Sequence, residues 1–70
     1  MNIIYTLHAR EQIKERKILK VWVEEIIKSP DYKNIQGQKY YVSKKLNRIT
    51  LKVVYAKEKY MKVITSYFIK

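Results

Sequence analysis

Apolar positions change their spacing near residue 30, from a helical period to a strand-like alternation. Between residues 7 and 16, Ala9, Ile13 and Arg16 fall on one stripe at roughly 100° per residue, with His8 and Gln12 on its flank. Thr6 stands where a helix N-cap belongs. Lys17 and Ile18 form a brief break, and a second helix follows over residues 19–28. It carries Trp22, Val23, Ile26 and Ile27 on one face, and Glu24, Glu25 and Lys28 on the other. Glu24 and Lys28 are a favourable pair one turn apart. Ser29 ends this helix, because the residue before a proline is pushed out of the α region.

Beyond Pro30 the pattern predicts strands: a short one over 32–36, then longer ones over 38–46, 49–57 and 60–68, rich in β-branched and aromatic residues. The gaps are too short for crossover helices, so the strands should form an antiparallel meander. Turns at Asn47-Arg48 and Glu58-Lys59 place Leu46 opposite Ile49, Val42 opposite Val53, and Val53 opposite Ile64. One face then collects Tyr40, Val42, Leu46, Ile49, Leu51, Val53, Tyr55, Ile64 and Phe68. The other holds Tyr41, Ser43, Lys45, Thr50, Lys52, Val54, Val63, Thr65 and Tyr67. A slip of one residue inverts this sorting. The expected fold is therefore α+β: a two-helix hairpin covering one face of a three- to four-stranded antiparallel meander, as a single domain over 1–70.

Charge changes this picture by giving the sheet a partner. Residues 1–30 hold six Lys/Arg against four Glu, whereas residues 31–70 hold ten Lys/Arg against Asp31 and Glu58. Most of the +10 net charge, and most of the seven tyrosines, thus belong to the sheet. Segregated basic charge favours a polyanion such as nucleic acid, or an acidic protein that masks it. The absence of cysteine removes disulfides and thiolate metal sites. No apolar run approaches the roughly 20 residues that cross a bilayer, and the start of the chain lacks a signal-peptide layout, so no membrane partner and a cytoplasmic location are expected.

Several short segments resemble a known family: His8-Ala9, Glu15-Arg16-Lys17-Ile18, Ser29-Pro30, Val53-Val54-Tyr55 and Val63-Ile64-Thr65-Ser66-Tyr67. In that order they are similar to an uncharacterised bacterial domain-of-unknown-function family grouped with the RelE, ParE and BrnT toxins of toxin–antitoxin systems. The resemblance implies a RelE-like α+β fold and a ribonuclease toxin acting on mRNA, in part at the ribosome, neutralised by an acidic antitoxin. ParE-type members share the fold but act on DNA gyrase, so fold alone leaves the activity open.

RNA cleavage without a metal needs a base for the 2′-hydroxyl, cations for the phosphorane, and an acid for the leaving oxygen. The six carboxylates show no ligand spacing, so no metal and no small-molecule cofactor are expected. Lys45 and Lys52 fall diagonally close on the open face and suit phosphate contact or proton transfer; the plain alternative is a pair of solvated sheet lysines. Tyr67 matches, by position, a catalytic or stacking aromatic of RelE-like toxins, or else is an ordinary strand tyrosine. Arg16 on an apolar stripe needs an anion or a capping role. His8, the lone histidine, suits acid–base work or a structural one. Arg48, Tyr41 and Lys44 complete the candidates, as contacts to nucleic acid. Without catalysis, the same face reads as a nucleic-acid-binding module or a basic protein-interaction module.

Overall fold

A computed structural model describes residues 2–69; Met1 and Lys70, the ends of the expected 1–70 domain, lie outside the described residues. The elements run β1 (Ile3–Tyr5), α1 (Leu7–Glu15), α2 (Lys20–Lys28), β2 (Tyr32–Gln36), β3 (Lys39–Leu46), β4 (Ile49–Lys57) and β5 (Met61–Ile69). Local chemistry explains the breaks. The Thr6 side chain accepts the Ala9 N–H and caps α1, and Lys17, in the left-handed region at φ 55°, turns the chain toward α2. Ser29 caps the end of α2 just before Pro30.

The protein is α+β, with a five-stranded mixed sheet in the order β1-β5-β4-β3-β2. In place of the expected antiparallel meander of three to four strands, a fifth strand is present. Ile3, Ile4 and Tyr5 pair in parallel with Met61, Lys62 and Val63. Three residues carry no periodicity, and their partners lie almost at the other end of the chain, so local pattern does not reveal them.

Two-residue turns set the rest of the frame. Gly37 and Asn47 open the β2–β3 and β3–β4 turns at φ 64° and 58°. Such turns want a first residue that tolerates positive φ. Leu46 therefore faces Ile49 and Val42 faces Val53, as expected.

The β4–β5 pairing differs from expectation in two places. Its turn takes three residues, since Lys57 faces Met61, and Ile64 is then bulged out between the Tyr55–Val63 and Val54–Thr65 pairs. Val53 consequently faces Ser66 rather than Ile64, and Val63 joins the core rather than the open face. Each change moves the register by one residue, so side-chain parity is restored beyond the bulge. Thr65 and Tyr67 keep the open side, and Phe68 keeps the covered one.

One core results. Ala9, Ile13, Ile18, Val23, Ile26 and Ile27 from the helical half meet Val42, Leu51, Val53, Tyr55 and Val63 from the sheet. Trp22 and Phe68 close its rim edge-to-face, with ring centres 6.5 Å apart. Tyr40 and Tyr55 stack across β3–β4 at 5.0 Å on the same side. Full burial of each such aliphatic side chain contributes about 1.5–3 kcal/mol.

α1 also guards the β5 edge. The Thr6 hydroxyl donates to the Ile64 carbonyl, and the Gln12 Oε1 accepts both the Ser66 N–H (3.0 Å) and the Thr65 hydroxyl (2.6 Å). Edge groups that would otherwise be orphaned are satisfied by one helix. No helix among the described residues is long and apolar enough to cross a membrane.

Candidate nucleic-acid interface

Because paired residues in a sheet share a face, the register alone lays out the uncovered side. Tyr32, Ser43, Lys52 and Tyr67 form one row across β2, β3, β4 and β5. With strands about 4.8 Å apart, that row spans about 14 Å. The next row holds Lys45 opposite Thr50, and the one on the other side holds Asn34, Tyr41, Val54 and Thr65. α2 packs on the opposite face over β3 and β4, while α1 runs along β5 and reaches the Thr65 hydroxyl at that edge through Gln12.

Lys45 is exposed and Lys52 is half-buried. Lys45 sits diagonally from Lys52, at roughly 7–8 Å between their backbones, a spacing that lets two ammonium groups meet neighbouring phosphates of an extended strand. Tyr67 stands directly across from Lys52, and Tyr32, 59% exposed, closes the far end of the row. An aromatic at each end and cations between them offer stacking and charge together. The Asp31 carboxylate holds the Lys45 backbone N–H at 2.9 Å, which pins the start of β2 to β3 beside this surface.

The expected site residues divide. Lys45, Lys52, Tyr67 and Tyr41 share the open face. Lys44 does not: alternation turns it to the helix side, where its ammonium pairs with Glu25 of α2 at 3.4 Å. Arg16 leaves the apolar stripe, because α1 ends at Glu15; as the C-cap it donates its backbone N–H to Gln12, and its side chain is exposed. His8 is exposed in the first turn of α1. No hydrogen bond or ion pair joins either side chain to Lys52 or Tyr67 among the described residues. Arg48 lies at the β3–β4 turn, at the end of the sheet.

Tyr32 and Gln12 are absent from the sequence-based set. Pairing β2 to β3 through Gly37 places Tyr32 opposite Ser43, a signal the chain does carry. Gln12 has none, since its role depends on where α1 docks. Among the described residues no group of three His, Asp or Glu is arranged to hold a metal ion.

Neither the curated proteins nor the solved structures yielded a match to this chain. A family model does match, over residues 5–68, and it spans both helices and nearly the whole sheet. The chain belongs to the family described as Domain of unknown function (DUF4258).

Proposed function

We propose that the open face of the sheet binds single-stranded RNA. One observation carries this reading: the Tyr32-Ser43-Lys52-Tyr67 row, with Lys45 diagonal to it, on a face that neither helix covers. Lysines there release counterions from phosphates, and tyrosines supply sequence-tolerant stacking. The net charge of +10 steers a polyanion toward the molecule. The test is fluorescence anisotropy of a labelled single-stranded RNA against salt. Affinity should fall steeply as salt rises, and Lys45→Ala and Lys52→Ala should each lower the log–log slope by about 0.7. Salt-insensitive binding, or none, contradicts the reading.

A second reading adds metal-independent cleavage by a RelE- or BrnT-like toxin that an acidic antitoxin neutralises. It is favoured by the Tyr67 ring standing directly across from Lys52. In it Lys45 and Lys52 stabilise the phosphorane and Tyr67 moves a proton. Purified protein incubated with RNA and EDTA, with and without ribosomes, tests it. Tyr67→Phe should then retain binding and lose cleavage. Intact RNA in both incubations, with no growth arrest on expression, overturns the cleavage reading and leaves the binding one standing.

A further inference from the structure

A recess of about 220 Å³ opens at the end of the sheet, lined by Trp22, Leu46, Asn47, Arg48, Ile49 and Phe68. Its walls are of two kinds. Trp22 and Phe68 meet edge-to-face and, with Leu46 and Ile49, make an apolar slot; Asn47 and the exposed Arg48 add the polar part of the lining. It is smaller than the roughly 300–1,000 Å³ of pockets that enclose drug-sized ligands, so it suits one ring system. Asn47 and Arg48 belong to the turn that also joins Lys45 and Thr50, the open-face row nearest this end. Recess and basic face are therefore contiguous around one turn.

We infer that this recess receives one nucleobase of a single strand lying on the open face, with the strand bending around the Asn47-Arg48 turn. The inference rests on the RNA-binding reading and adds a second, separate contact to it. A base has the chemistry of the slot: an apolar ring face against Trp22 and Phe68, and a polar edge toward the Asn47 amide and the Arg48 guanidinium. An aliphatic anchor from a protein partner would use the walls and leave both polar heads idle. Arg48 is exposed and enters no ion pair among the described residues. A phosphate next to the inserted base thus meets a free guanidinium.

Trp22 is the sole tryptophan of the chain and reports on the recess directly. The experiment follows Trp22 emission and anisotropy together, for a short labelled oligouridylate and for an abasic phosphodiester strand of equal length. The oligouridylate should quench Trp22 and bind about tenfold more tightly than the abasic strand, in keeping with stacking of one base. Filling the slot by Ile49→Phe should remove the quench and reduce that preference to the part that open-face stacking supplies, while leaving abasic binding unchanged. Arg48→Gln, which alters no apolar wall, should weaken both strands and so guards against a misfolded Ile49→Phe. Tyr67→Leu should weaken binding and keep the quench, separating the recess from stacking on the open face. Salt-dependent binding of both strands with Trp22 emission unchanged overturns the recess and spares the open face. Failure of both strands to bind overturns both readings together.

Discussion

The two faces of this sheet are made from alternate residues of the same strands, yet they carry opposite chemistry. On the covered side Val42, Leu51 and Val53 are 0% exposed and lie under the helices. One position further along each strand, Ser43 and Lys52 face outward in a row with Tyr32 and Tyr67. Fold and interface are thus separated by a single residue of register, and the device that keeps them apart in β5 is the bulge at Ile64. It lets Val63 enter the core near the turn and Phe68 enter it near the far end, although they are five positions apart, an odd offset that would otherwise put them on opposite faces. The comparison teaches that stability and binding should respond to different substitutions on neighbouring positions.

A charge on the covered side breaks the comparison most severely. Leu51→Lys buries an ammonium where the wild-type side chain is fully buried, so cooperative unfolding should be lost in urea melts. A Leu51→Lys variant with wild-type stability contradicts this register. On the covered face alone, Leu51→Ala should cost about 2–5 kcal/mol, because that side chain is fully buried. Gln12→Ala leaves the Ser66 N–H without its partner, and a loss of about 1–3 kcal/mol is expected by the same melts.

The smallest effect belongs to Tyr5. Burial, aided by the negative charge of Glu24, raises its hydroxyl above the ordinary value of 10.0, and that hydroxyl has no hydrogen-bond partner among the described residues. The unfolded chain gives up its proton first as pH rises past that value. The resulting stability is therefore full below 10.0 and lost as pH climbs through the raised folded value. Tyr55 behaves alike, through burial and then its neighbour Tyr40. Tyr5→Phe should change stability by less than about 0.5 kcal/mol near neutral pH and should flatten the alkaline loss. Melts at neutral and alkaline pH check both halves; an unchanged alkaline loss counts against the account of Tyr5.

The sequence made legible whatever its local chemistry dictates. Helices at 7–16 and 19–28 are found at Leu7–Glu15 and Lys20–Lys28, because Thr6, the Lys17 break and Ser29-Pro30 mark their ends. The β3–β4 register follows from Asn47 at a turn, and with it the shared face of Lys45 and Lys52. What stayed hidden depends on distant partners. The β1 strand is visible only as the short run Ile3-Ile4-Tyr5 and is defined by β5. The three-residue turn and the bulge are two offsets of one residue each, which cancel in parity and so leave the apolar pattern of distal β5 unmarked. Lys44 was legible from parity alone, lying between Val42 and Leu46; the pairing with Glu25 is what allows a charge there.

The most direct test of the separation between faces uses one protein and two readouts. Lys45→Ala combined with Lys52→Ala should leave the urea unfolding midpoint at its wild-type value, since both side chains point away from the core. In the same preparation, the dependence of RNA affinity on salt should weaken, with the log–log slope reduced by about 1.4. A wild-type slope in this variant contradicts the account, as does a loss of stability that accompanies the loss of binding.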